Sequence, residues 1–218
     1  MFYGAQRWYT GCIPCEQQLP ISNYRMGSSS MYNPACISKT EEVLNQVFRL
    51  LWEQHVEWTR MLIISIAEEL PDEVPVTERL LRSAKDMTEV FRFYYGNQIA
   101  EHFDTLMTEH LVLAAQLVKA AKAGDSQAAA ESERQWYDNA DEIAAFLSGF
   151  NPNWSEPALK HMLHEHLRMT KDEAVFRLSK QYQADIDTYD HIEKQALDMA
   201  DEFTAGIVKQ FPFAFRHA

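Results

Sequence analysis

Three histidines of this chain fall in the apolar faces of predicted helices, where histidine is unusual. His55 lies in the apolar face of a first helix, His110 lies four residues after Leu106, and His166 lies in the last helical run. A buried imidazole needs hydrogen-bond partners or a metal ion. Histidines and carboxylates inside a helical bundle are typical of transition-metal sites. The three histidines are therefore candidate metal ligands.

The loop between two predicted helices places His110 and Asn139 at one level. His110 precedes Gly124 by the same number of positions as Asn139 follows Asp125. A helix rises by about 1.5 Å per residue, so equal distances from a tight loop mean equal heights. We therefore predict that His110 and Asn139 face each other across neighbouring helices.

The same argument brings His166 and His55 to this level. Asn139 lies as far before Gly149 as His166 lies after the next helix start, which we place at 155–156. His55 joins the layer if its helix end lies on the same side of the bundle. The sequence thus predicts a polar layer with metal ligands at His55, His110 and His166, completed by Glu109 or Asn139.

Two functions fit such a layer. Imidazole and carboxylate ligands suit Fe, Mn, Zn or Cu, and an open coordination position could support redox or hydrolytic chemistry. The ferritin-like Glu-x-x-His pair is absent, and the sequence indicates no substrate. Alternatively, the histidines form a buried hydrogen-bond network in a non-enzymatic structural or interaction protein, where they fix the helix register.

Other chemistry-bearing residues favour less specific roles. His161 and His164 flank the apolar face and are expected in solvent, and His102 and His191 at the surface or its boundary. The acidic run Asp185, Asp187, Asp190 and Glu193 is typical of a solvated helix face, although Asp185 approaches the apolar side. Cys12, Cys15 and Cys36 lack a fourth ligand and the βαβ context of a redox motif. No glycine-rich phosphate loop or nucleophile elbow is present.

The elements that must position the layer are all helical. Glycine and proline are few, at 7 and 8 of 218 residues, which favours long helices. We predict an all-α fold, an up-down four-helix bundle with extra short helices and an irregular N-terminal arm. The predicted main helices are 39–70, 97–123, 125–148 and 155–209, the last with a kink or restart at Thr170. Residues 71–96 form a short helical pair over one end, and no internal repeat is evident.

Residues 1–38 differ from the acidic bundle domain predicted for 39–211. They hold all three cysteines and many aromatics, and they show no helical period. We interpret them as an arm that docks on the body or on a second subunit, and we expect a homo-oligomer. The formal net charge of −12 argues against a nucleic-acid partner. No stretch has the length of a membrane span and no secretory signal is evident, so the expected location is cytoplasmic.

Several segments resemble an uncharacterised all-helical family of spore-forming bacteria, over about residues 50–211. They include His55-Val-Glu-Trp58-Thr59-Arg60, Glu109-His110-Leu111, Trp136-Tyr-Asp-Asn139 and His166-Leu-Arg-Met-Thr170. Members often carry an acetylglutamate-kinase label, which this sequence does not support because such a kinase needs an α/β sheet and glycine-rich phosphate turns. The resemblance implies an all-helical domain, no established activity and a possible spore association. More loosely, the Glu109-His110 helix is similar to hemerythrin-like and ferritin-like metal-binding bundles.

Overall fold

A computed structural model describes residues 37–215, and these fold into six long α-helices with no strand among them. The predicted all-α class is confirmed. The helices are α1 (Lys39–Ala67), α2 (Glu73–Tyr95), α3 (Asn97–Ala123), α4 (Ser126–Phe150), α5 (Glu156–Leu178) and α6 (Tyr182–Gln210). None of them combines the length and the unbroken apolar character that a membrane crossing needs. The predicted arm falls almost wholly outside the described residues.

Capping residues explain several of these boundaries. The Ser38 hydroxyl accepts a hydrogen bond from the Glu41 N–H at 3.1 Å, and the Asp125 carboxylate accepts one from the Ala128 N–H at 2.9 Å. Gly124 ends α3 in the left-handed conformation at φ 73°, as predicted. The sequence predicts Asn97 as the cap of α3, but Asn97 is the first helical residue and Gly96 precedes it as the cap.

Two stretches differ from the prediction. In place of a short helical pair over 71–96, one 23-residue helix, α2, covers Glu73–Tyr95, because Pro75 falls in its first turn, where proline is tolerated. The predicted run 155–209 is two helices that separate at residues 179–181 and not at Thr170. In place of four main helices with short additional ones, the described residues 37–215 therefore form six helices of at least 23 residues.

The six helices close into a ring. Each helix packs against the next one in the chain, and α6 packs back against α1. Short connections make neighbouring helices antiparallel, so α1, α3 and α5 run in one direction. These three helices also contact one another. They form the inner layer of the bundle, and the polar residues of interest lie on them.

The ring is built from three similar helical hairpins, α1–α2, α3–α4 and α5–α6. On the inner helices, a buried apolar side chain directly follows each of the three histidines, namely Val56, Leu111 and Leu167. The outer helices α2, α4 and α6 each carry one fully buried alanine, and these alanines are equally spaced in the sequence: Ala84, Ala140 and Ala196. These buried positions recur once in each hairpin at a spacing of 55 or 56 residues, a regularity that the sequence prediction does not include.

Candidate metal centre

His55, His110 and His166 occupy corresponding positions on α1, α3 and α5 and line one small central cavity. Each side chain is at least 96% buried, and the ring centroids of His55 and His166 lie 5.9 Å apart. The cavity volume is about 10 Å³, close to the space of one water molecule. Its remaining wall is apolar and aromatic, with Trp52, Phe103, Met107, Ile143, Leu163 and Phe203. The structure thus brings together the three histidines from three different helices.

His110 is held on both ring nitrogens by α4. Its Nδ1 lies 2.8 Å from the Asn139 Oδ1, and the Asn139 amide donates to the Leu106 carbonyl at 3.1 Å. The Trp136 indole N–H donates to His110 Nε2 at 3.2 Å. Because Nε2 accepts, the proton of the neutral ring is on Nδ1. His110 and Asn139 face each other as predicted, and both are engaged within the protein.

His166 repeats this arrangement with a partner on α6. Its Nδ1 lies 2.9 Å from the Gln195 Oε1, and the Gln195 amide donates to the Met162 carbonyl at 2.8 Å. The histidine and its carboxamide are 29 residues apart in both hairpins. An oxygen acceptor on one ring nitrogen leaves the lone pair of the other available, as in many metal-binding histidines. Gln195 was not predicted from the sequence. Its spacing from Asn139 nevertheless equals the spacing of His166 from His110.

His55 lacks the equivalent partner. The corresponding position on α2 is Ser83, whose hydroxyl is buried without a hydrogen-bond partner. His55 Nδ1 is also buried without one, and so is the indole nitrogen of the neighbouring Trp52. Serine is shorter than asparagine or glutamine, which explains why it does not satisfy the ring. His55 is therefore the least constrained histidine of the three.

Burial keeps all three rings neutral at neutral pH. It lowers the pKa of His110 to about 4 and that of His166 below its ordinary value. The pKa of His55 is well below the ordinary value, first through burial and then through repulsion by His166 and His110. Neutral imidazole is the form that binds metal ions. The protonation state of the layer therefore suits metal binding.

The other proposed residues lie elsewhere. Glu109 is exposed and does not line the cavity, so the structure does not bring it to the histidines. His102, His161 and His191 are exposed, and His164 is half-buried beside Asp141 at 2.8 Å. Cys12, Cys15 and Cys36 lie outside the described residues.

A second buried polar cluster lies farther along α1, α5 and α6. Arg60 Nη1 contacts Glu173 Oε1 at 2.5 Å and Asp185 Oδ1 at 2.6 Å, and both carboxylates are almost fully buried. Arg177 Nη1 lies 3.5 Å from the other Asp185 oxygen. The interpretation of Asp185 as part of a solvated helix face is wrong, because Asp185 forms ion pairs with two arginines. Burial raises the pKa of Glu173 to about 7 despite the opposing effect of Arg60.

The arrangement of the described residues has no preformed coordination site. Within residues 37–215, no three or more His, Cys, Asp or Glu side chains are grouped so that they could hold a metal ion. Comparisons of the chain with protein-family models, curated proteins and solved structures find no match. The feature of the described residues that indicates a function is therefore the cavity lined by the three histidines.

Proposed function

We propose that this protein binds one transition-metal ion between His55, His110 and His166. The observation that supports the proposal is the shared cavity, in which one imidazole from each inner helix meets the other two in an otherwise apolar wall. Three protein ligands with a further position open to water or substrate are usual in catalytic zinc sites, and three histidines are one such ligand set. Such a site could carry redox or hydrolytic chemistry with Fe, Mn, Zn or Cu.

Metal binding requires a local rearrangement of the layer. To bind the metal, His110 Nε2 must give up the hydrogen bond that it accepts from the Trp136 indole N–H. At 3.2 Å this hydrogen bond is long, so it competes only weakly with a metal ion. His55 has no hydrogen bond on Nδ1 that would oppose rotation of its ring. Asn139 and Gln195 act as supporting residues, because each accepts the N–H of a ligand histidine and fixes its tautomer.

Metal analysis of the full chain tests this proposal. The protein is purified without a histidine tag, and bound metals are measured by mass spectrometry before and after loading. We expect close to one equivalent per chain in the wild type and a large loss in His166→Gln. His191→Gln, at an exposed histidine of α6, is the matched control and should retain the metal. Less than a tenth of an equivalent of every transition metal after loading would exclude the site.

The second candidate function is a non-enzymatic structural or interaction protein. It is favoured by His110, which uses both ring nitrogens inside the protein and needs no metal. In this case the melting temperature is the same with and without chelator, whereas a bound metal stabilises the folded state and makes the melting temperature chelator-sensitive. Assembly into a homo-oligomer or a spore layer would then depend on the arm. Removing residues 1–38 and measuring the mass in solution tests that role, since an unchanged oligomer excludes it.

A further inference from the structure

A larger apolar chamber lies about one turn beyond the histidine layer, between α1, α3, α4 and α5. Its volume is about 130 Å³, and its lining is almost entirely apolar. The walls include Leu62, Ile63, Leu117, Val118, Trp136 and Ala174. Apolar cavities of about 150 Å³ in proteins stay dry and accept benzene or xenon. The chamber therefore has the volume and surface of a site for a small apolar molecule.

The chamber reaches the protein surface at one end. Ala121 and Val175 contribute to its lining and are exposed to solvent. Lys171 and Glu133 also border it, but they bind each other at 2.5 Å, so they offer a charged ligand no unpaired partner. A neutral molecule can thus reach the chamber, whereas a charged one would lose its hydration without compensation.

One polar atom distinguishes this chamber from a simple packing defect. Thr59, Ala114 and Thr170 line it from corresponding positions, each four residues after a histidine of the layer. The Thr59 hydroxyl donates to the His55 carbonyl at 2.8 Å. The Thr170 hydroxyl is buried and has no hydrogen-bond partner. An unpaired hydroxyl beside an apolar space can bind one polar group of a ligand.

We propose that this chamber binds a small neutral molecule of about the size of phenol, whose single polar group pairs with the Thr170 hydroxyl. The apolar body of the ligand would contact the walls formed by α1, α3 and α5. Trp136 belongs both to this wall and to the hydrogen-bond partners of His110. A ligand would therefore lie next to the histidine layer. The proposal does not depend on metal binding, because the chamber and Thr170 are present without it.

Titration calorimetry with phenol and with benzene on the full chain tests the proposal. We expect the wild type to bind phenol about 3- to 10-fold more tightly than benzene, the ratio that one net hydrogen bond gives. Thr170→Val keeps the side-chain volume but removes the hydroxyl and leaves the phenol O–H without a partner, so the preference for phenol should be lost or reversed. If neither probe binds the wild type, the chamber is not a ligand site and the proposal is wrong. If Thr170→Val keeps the preference for phenol, Thr170 does not bind the polar group of the ligand.

Cavity-filling variants supply the control. Ala114→Leu and Ala129→Leu place three additional carbons into the lining and should abolish binding of both probes. Ala130→Leu makes the same change at an exposed position of α4 outside the lining and should bind as the wild type does. Melting curves establish which filled variants are folded, and retained binding in a folded filled variant would place the ligand elsewhere and contradict the proposal.

Discussion

A single residue on each outer helix decides how firmly each histidine of the layer is held. Asn139 and Gln195 accept the histidine N–H and donate to a carbonyl of the inner helix, so each carboxamide joins two helices. Ser83 at the third position leaves both itself and His55 Nδ1 without partners. The histidines of the three hairpins therefore differ in their hydrogen bonding, and His55 is the ring most easily moved by a ligand.

This inequality predicts different costs for two alanine substitutions. Asn139→Ala leaves the His110 N–H and the Leu106 carbonyl without their partner, which should lower the free energy of unfolding by about 1–3 kcal/mol. Ser83→Ala removes a hydroxyl that has no protein partner and should cost less than about 1 kcal/mol. Urea denaturation of both variants and the wild type measures the difference. Equal losses would show that Ser83 is as firmly bonded as Asn139.

Burial of His110 predicts a loss of stability in acid. Its pKa is about 4 in the folded state and about 6.5 when unfolded, so between these values the unfolded chain binds the additional proton. The free energy of unfolding is therefore unaffected by His110 protonation above pH 6.5. It decreases by about 3 kcal/mol in total as the pH falls from 6.5 to 4. His110→Leu should flatten the fall in unfolding free energy between pH 7 and pH 4.5. An unchanged slope would contradict the neutral buried ring, and His191→Leu is the matched exposed control.

Sequence alone could locate the three histidines and one of their partners, Asn139, but not Gln195. A histidine in an apolar helix face is an anomaly that periodicity reveals, and loop distances give the level at which His110 meets Asn139. Gln195 carries a weaker signal, because a half-buried glutamine on a helix looks like any surface residue and only its spacing from Asn139 sets it apart. For Asp185, the sequence indicates only that the residue approaches the apolar side of an otherwise solvated helix face. Its burial depends on Arg60, which lies 125 residues away in the chain.

At the scale of the helices, sequence predicts ends that carry a capping residue and misses ends that do not. The limits of α3 agree with the prediction because Gly124 takes the left-handed conformation that glycine favours. The break between α5 and α6 contains Lys180 at φ 59° and no glycine or proline. The helical period continues through it, so the sequence predicts one helical run across this point and places the kink or restart at Thr170 instead. Tertiary packing of α6 against both α5 and α1 fixes the break.

Substitution of glycine by alanine should have opposite effects on stability at two helical positions, Gly206 and Gly149. A Cβ at Gly206 of α6 would overlap the indole ring of Trp154, which is 98% buried, so Gly206→Ala should destabilise by about 1–3 kcal/mol or more. Gly149 in α4 has open space around it, and Gly149→Ala should stabilise the protein by about 0.5–1 kcal/mol. Thermal unfolding of both variants measures this. A stable Gly206→Ala variant would mean that α6 and the 151–155 connection do not pack this closely.

At the scale of the whole molecule, the Arg60 cluster joins the first hairpin to the last. Arg60 on α1 binds Glu173 on α5 and Asp185 on α6, and Arg177 reaches from α5 to Glu68 at the end of α1. These ion pairs lie where the ring of helices closes. Because a buried carboxylate without a partner is costly, the cluster selects this closure over other arrangements of the same helices.

Removing Arg60 should therefore destabilise the protein in a pH-dependent manner. Arg60→Met leaves Glu173 and Asp185 buried without their shared cation, which should cost about 3–5 kcal/mol at pH 8. Glu173 already has a raised pKa of about 7, so the folded state binds a proton that the unfolded chain releases above about pH 4.5. The stability lost in Arg60→Met relative to the wild type should become smaller as the pH falls from 8 to 5. Protonation of Glu173 then removes one of the two unpaired charges.

Two further variants make this test specific. Adding Glu173→Gln to Arg60→Met should restore part of the lost stability at pH 8, since it supplies a neutral side chain of the same shape. Arg134→Met breaks only exposed ion pairs to Glu131 and Asp138 and should cost far less than Arg60→Met. Denaturation curves at pH 5 and pH 8 report all of these differences. A deficit of Arg60→Met that stays constant with pH would mean that the carboxylates find other partners, and the cluster would then not govern closure of the ring.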